Sequence, residues 1–372
     1  MLTPLTALSQ TEVHVNSSLG HENNINFSPD FIVEDGEIIE RQELYANSLF
    51  NDLRLAIKTE KKWAKSVFRI EGKQSKRSYF NAAEYNQSQR DLESYFSYSF
   101  SKNSTFRLGL DYTSKDRLGL DFDASEFALP LGYRKFTVNP GFDFRLSKKN
   151  RTAIDFVAGR KTFNETDVRE SSYTITRISI SSKKVQWKNH ILRVTGFKGA
   201  YTLRNYNFFY FEEDSVRIRP LTYLDLGIFS KHQLNKKWTL SSSLDFQKRF
   251  DNEESRFGYT QLKPNLTLVF RGKSRFFKIK PAYVFRRFDS SLMANSDAAP
   301  DRLQFDYFKL SFYLSQQLSN QFSLFAKGNF TDRRSNNLNE EMFIYRSYEN
   351  WYAGIGIKWK YQIGKKDTLG KK

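Results

Sequence analysis

Apolar and polar residues alternate along most of the chain with a period of two. From Trp238, one face carries Trp238, Leu240, Ser242, Leu244 and Phe246, and the other Thr239, Ser241, Ser243, Asp245 and Gln247. Further on, Phe308, Leu310, Phe312 and Leu314 stand against Lys309, Ser311 and Tyr313. Near the C-terminus Trp351, Ala353, Ile355, Ile357, Trp359 and Tyr361 share a face opposite Tyr352, Gly354, Gly356, Lys358, Lys360 and Gln362. The pattern recurs at 92–100, 106–112, 136–146, 224–234, 262–270, 277–285 and 322–330. Successive side chains of a strand point to opposite faces, whereas a helix repeats its stripe every 3.6 residues or so. No segment sustains the helical period, so the chain reads as all-β. The predicted strands are long: soluble strands average about five or six residues, and strands that cross a bilayer need about 9–11. Pro140, Pro264 and Pro281 fall inside them on the apolar face. Each lacks a ladder donor, so interrupted or bulged pairing is expected there.

The links between strands alternate in length. Short polar links fall at 59–62, 102–104, 147–151, 182–189, 235–237, 272–274 and 319–320. Longer ones fall at 20–42, 74–89, 114–133, 164–172, 204–220, 251–258, 289–302 and 332–349. Seven short and eight long links imply sixteen strands. Strand one (near 13–19), strand eight (174–181) and strand nine (191–203) alternate poorly, so fourteen is the other count this pattern allows. An even number of strands with both termini on the short-turn side is the arrangement of bacterial outer-membrane barrels. The expected fold is a single transmembrane antiparallel up-and-down β-barrel over residues 10–363, with short periplasmic turns and long extracellular loops. A soluble sandwich would alternate too, but would need neither strands this long nor this rhythm of links. A closed barrel also leaves no exposed strand edge.

Composition narrows the picture further. The 372 residues include no Cys, 35 Phe, 20 Tyr and 5 Trp, with 27% charged residues and a net charge of +18. The absence of Cys excludes disulfide frameworks, thiolate metal sites and cysteine nucleophiles. The longest apolar stretches, near 127–133 and 208–211, fall far short of the ~18 residues of a membrane-spanning helix. Residues 1–9 read Met-Leu-Thr-Pro-Leu-Thr-Ala-Leu-Ser, with small residues at Ala7 and Ser9. This is the small-x-small pattern of an export-signal cleavage site, without a basic region before it. The segment is expected to be the tail end of such a signal, and lysine-rich 364–372 a basic periplasmic tail.

In lipid the apolar face must point outward, with aromatics at its two rims. Trp238, Trp351, Trp359, Phe100, Tyr98, Phe144 and Phe285 lie near predicted strand ends and read as girdle residues. By parity the inner face carries sixteen bases, among them Lys263, Lys278, Lys280, Arg286, Lys309, Lys327, Lys358 and Lys360. Seven acids share that face: Glu71, Glu93, Asp111, Asp143, Asp155, Asp225 and Asp245. Cross-strand pairing would neutralise seven bases and still leave a positive interior, which concentrates anions. Lys278, Lys280 and Arg286, with Lys263 and Lys309 on neighbouring strands, form the densest group.

The short turns are basic as well, at Lys61, Lys62, Lys148, Lys149, Lys183, Lys184, Lys236, Lys237 and Lys273. These lysines sit in separate turns, not one stripe, and no nucleic-acid motif accompanies them. Anionic headgroups are the expected contact, with outer-membrane lipid and lipopolysaccharide as partners and nucleic acid excluded. The first long loop is acidic, with Glu22, Asp30, Glu34, Asp35, Glu37 and Glu40; it serves divalent cations or nothing.

Enzyme chemistry finds no support. His14, His21, His190 and His232 are the only histidines, and none has metal-ligand spacing or belongs to a triad. Gly354 and Gly356 alternate within a strand and form no phosphate loop. No catalytic residue, cofactor or metal is expected.

The long Phe/Tyr-rich strands, the lysines in tight turns and the Trp-flanked last strand resemble outer-membrane barrels common in Bacteroidota. The opening Val13-His-Val-Asn-Ser-Ser-Leu-Gly-His-Glu-Asn-Asn-Ile-Asn is similar to the first-strand motif of the putative β-barrel porin-2 group. That resemblance implies location and fold more than activity. The expected function is a porin-like channel for small polar or anionic solutes. The alternative is a non-conducting accessory barrel within a larger outer-membrane complex of partner proteins, with loops 114–133 and 289–302 folded inward. Sixteen strands normally leave an aqueous passage, which favours the channel.

Overall fold

The computed structural model describes residues 8–364, apart from 26, 29, 35–36, 117, 120–128, 131, 165–171, 189–190, 211–214, 252–257, 293–301 and 337–346. Its first eight long strands are β1 (Leu8–Glu22), β2 (Ser48–Lys62), β3 (Ser66–Tyr79), β4 (Gln87–Ser99), β5 (Ser104–Asp116), β6 (Tyr133–Arg145), β7 (Asn150–Phe163) and β8 (Tyr173–Lys188). The other eight are β9 (Ile191–Tyr210), β10 (Ser215–Gln233), β11 (Trp238–Asp251), β12 (Tyr259–Arg271), β13 (Arg275–Leu292), β14 (Arg302–Gln317), β15 (Phe322–Ser335) and β16 (Tyr348–Ile363). Each pairs antiparallel with its neighbours in sequence, and β1 pairs with β16, so the sheet closes into one sixteen-stranded barrel. The count of sixteen holds over fourteen. Seven links of two to four residues sit at one end, together with the start of β1 and the end of β16.

Side-chain alternation explains why the sheet curls as it does. Large apolar residues point outward and stay exposed, such as Leu53 (50%) and Ile355 (70%), while polar neighbours on the same strands point in. A wall apolar on one face and polar on the other is stable only with lipid outside and water inside.

Strand limits differ from the alternation pattern in the poorly patterned regions. β1 spans Leu8–Glu22, so the barrel begins two residues before position 10. β8 continues through 182–188, which the pattern assigns to a turn. β9 and β10 run for 20 and 19 residues, and shrink the expected 204–220 loop to 211–214. In Arg204-Asn-Tyr-Asn-Phe both faces carry polar or aromatic groups, so the period-two signal fades while the ladder continues. Outside the barrel, Phe31–Glu34 pairs with Glu37–Glu40 and Leu118–Gly119 with Leu129–Pro130. The described helices are a turn at Arg41–Leu44 and a 3-10 turn at Ala83–Tyr85. Residues 1–7, the tail from 365, His190 and most of loops 114–133 and 289–302 lie outside the described residues.

The three prolines interrupt pairing without shifting it. The β12–β13 register skips from Leu262↔Phe285 to Asn265↔Ala282 and then to Leu268↔Ile279, past Pro264 and Pro281. The β6–β7 register likewise skips Pro140 and resumes at Gly141↔Asp155. Where β1 meets β16 the backbones lie close. A Cβ on Gly20 would stand 2.4 Å from the Ala353 carbonyl oxygen and 2.5 Å from the Phe50 ring. Glycine at that position lets the buried Phe50 ring lie over the closing seam.

Candidate functional site: a basic cavity in the barrel lumen

The two ends of the lumen differ. Toward the long-link end side chains of the inner wall pack into buried clusters. Tyr259, Val284, Phe288, Leu303, Phe305 and Tyr307 form one buried cluster, and Ile25, Phe50, Tyr79 and Ala82 another, with Phe50 and Phe305 fully shielded. Arginines stack on these rings: Arg249 and Arg286 lie 4.2 and 4.5 Å from the Tyr259 centroid, and Arg77 lies 4.2 Å from that of Phe50.

Toward the short-link end the lumen opens into a cavity of about 1130 Å³. Its wall carries Lys102, Arg145, Arg151, Lys183, Lys198, Lys231, Lys263 and Lys280, eight bases, against Asp143 and Asp245. Both acids are already paired: Arg107 lies 2.7 Å from Asp143, and Lys198 2.8 Å from Asp245. No carboxylate of the described residues is within ion-pair distance of Lys231, Lys263 or Lys280. Lys263 and Lys280 flank the interrupted β12–β13 pairing. Between charges of one sign in a confined aqueous space the local potential is strongly positive.

The inward bases thus fall into different environments. Lys263 and Lys280 line the cavity, and Lys278 shares the inward face of β13 with Lys280. Arg286 is buried, donates to Gln261 Oε1 at 2.9 and 3.0 Å and stacks on Tyr259. Lys309 lies 5.1 Å from the Tyr307 ring centre. Lys327 donates to Asp52 at 2.7 Å, and Lys360 stands 3.5 Å from Glu12. Lys358 occupies the inward face of β16 opposite Asn16.

Asp52, only 2% exposed, is held by Arg54, Arg77 and Lys327. Arg77 also donates to Glu22 at 2.7 Å, as does the Tyr79 hydroxyl. Glu22, expected within an acidic cation loop, is therefore satisfied by protein donors, and no metal-holding cluster exists among the described residues. His14 lies inside beside Glu12 (3.2 Å), whereas His21 packs against the outward Trp351 ring.

The aromatic residues named from the sequence face outward at two levels. Phe100, Phe144, Trp238 and Trp359 stand near the short links, with Trp238 against Phe270 and Trp359 stacked on Tyr361. Trp351 and Phe285 lie toward the long links.

Sequence reasoning missed Lys198 and an apolar stripe of Val185, Trp187, Leu192, Val194 and Phe229 on the same cavity wall. Phe197 and Tyr201, both outward and exposed, carry the parity that places Lys198 inside. Val185 and Trp187 escaped because 182–189 reads as a polar turn, and Leu192 and Val194 because 191–203 alternates poorly.

No family model matches the chain, and no curated protein matches it, so the porin-2 likeness rests on its opening residues alone. Similar solved structures include OccAB1 of Acinetobacter baumannii, at 10% identity over 95% of this chain and 96% of that one, with a TM-score of 0.49. The outer-membrane channel DcaP of A. baumannii shows 11% identity over 94% and 97%, TM-score 0.46. OccK5 (OpdH) of Pseudomonas aeruginosa shows 8% over 96% and 98%, TM-score 0.43. At such identities and scores these likenesses carry no weight on activity; the architecture stands on the strand register itself.

Proposed function

We propose that this chain is a bacterial outer-membrane barrel that passes small polar solutes and favours anions. The observation that carries the reading is the cavity wall, where eight bases face two acids that are themselves paired. The exposed apolar outer face with aromatics at two levels suits outer-membrane lipid and lipopolysaccharide. Short links on the periplasmic side, the arrangement of outer-membrane barrels, would bring their lysines to anionic headgroups.

Reversal potentials across a salt gradient in planar bilayers test the proposal. Anion preference is expected, steepest at low salt, because the Debye length grows from ~10 Å at 0.1 M to ~30 Å at 0.01 M. Replacing Lys263, Lys278 and Lys280 together by Gln moves the reversal potential toward zero while the barrel still folds. Cation selectivity, or indifference to the triple change, refutes the reading. A second reading, a non-conducting accessory barrel that serves partner proteins, draws on the buried inner wall at the long-link end. Folded protein that carries no current would favour it.

A further inference from the structure

We propose that the short-link cavity is a binding site for small organic anions that carry an apolar, above all aromatic, body. This rests on the anion-favouring reading of the lumen and adds which anions are held.

The argument starts from the β8–β9 hairpin. β7 last pairs with β8 at Asn150↔Lys184, and β10 last pairs with β9 at Arg193↔His232. β8 and β9 stay paired beyond both, to Lys188↔Ile191. At ~3.3 Å per residue the hairpin stands roughly 13 Å past its β7 neighbour. Parity continues along it, so Val185, Trp187, Leu192 and Val194 lie on the face that carries Lys183 and Lys198 lower down. Phe229 extends the stripe: a Cβ on Gly196 would stand 2.6 Å from its ring, so that glycine gives the ring its seat. Trp187 is 68% exposed although its strand face turns inward. An indole this exposed contributes little to packing of the barrel and offers a flat apolar contact to a solute.

Apolar stripe and unpaired bases share one cavity. At about 1130 Å³ it is slightly larger than the roughly 300–1,000 Å³ of sites for drug-sized compounds, so a small molecule fits with room to spare. An inorganic anion would engage the lysines and gain nothing from the indole. An apolar cation would meet a wall where bases outnumber acids eight to two. Only a solute with a negative group and an apolar body satisfies both walls at once.

The probes are 4-fluorophenylacetate, fluoroacetate and 4-fluorobenzylamine, titrated by 19F line broadening against the full chain in phospholipid nanodiscs, with empty discs as blank. The arylacetate should bind about tenfold tighter than fluoroacetate, the scale of one aromatic contact. The amine should broaden no more than in empty discs. Trp187→Ala should bring the arylacetate down to the fluoroacetate level, and Trp187→Phe should restore most of the difference. Lys263→Gln with Lys280→Gln should weaken both acids. Equal affinity of the two acids, binding of the amine, or arylacetate binding unchanged in Trp187→Ala overturns the proposal. Anion-selective current without preference for the aryl body defeats this inference alone. Arylacetate binding in a barrel that carries no current defeats the channel and leaves the site.

Discussion

Adjacent residues of one strand live in opposite solvents. Leu244 points outward and is exposed, while Ser243 faces the cavity. Arginine at position 244 should therefore cost about 2–4 kcal/mol of stability, as for charges near the bilayer midplane. Arginine at 243 should be neutral within experimental error. Urea unfolding of the two variants in lipid vesicles measures the contrast, and equal tolerance would reverse the assignment of faces. Asp52 poses a different case. With three cationic partners around a buried carboxylate, Asp52→Ala leaves Lys327 without its anion and Arg77 with Glu22 alone, and should cost about 3–5 kcal/mol. Of this group the inward parity of Arg54 and Lys327 was within reach of sequence reasoning, and only Arg54, two positions along the same strand, could be matched to Asp52. Arg77 looked like loop, and nothing in the sequence places Lys327 opposite Asp52. The parity of Lys263 and Lys280 was legible because their strands alternate cleanly.

Strands were readable where lipid imposes one apolar face, and only there. β11 and β16 stand out in the sequence because every second side chain meets hydrocarbon. The outer reaches of β9 and β10 run past their pairing with β8 and β11, and there polar and aromatic residues occupy both faces, so alternation is lost. The same loss hid the projecting β8–β9 hairpin and, with it, the apolar part of the cavity. Closing strands carry a packing constraint that alternation does not reveal. Gly20→Val, thrust against the Ala353 carbonyl and the Phe50 ring, should destabilise by about 1–3 kcal/mol, the usual cost of overpacking. Gly72→Val on β3 meets nothing within 4 Å and should be tolerated. Similar unfolding midpoints for both variants would mean that the seam is looser than its geometry.

A closed sheet of sixteen strands has no edge from which to fray, and so should resist detergent until heated. Unheated and boiled samples are expected to migrate differently in detergent gels, and the gene product to fractionate with outer membrane. Recovery in the cytosol would end this reading. The ion network around Asp52 bears on how such a molecule comes together. It joins Glu22 on β1, Asp52 on β2 and Arg77 on β3 to Lys327 on β15, a partner 275 positions away from Asp52. Glu22 and Asp52 pair with Arg77 within the first three strands, but Lys327 meets its carboxylate only when the last hairpin has met the first. The network thus acts as a check on assembly: a half-built sheet inserted in lipid holds unmatched charge on its inner wall, and only the completed circle discharges it. Weakening the lock should then slow the final step of folding rather than the first. Time-resolved gel shift of Lys327→Met during refolding into vesicles should show normal insertion followed by delayed appearance of the compact, heat-modifiable form.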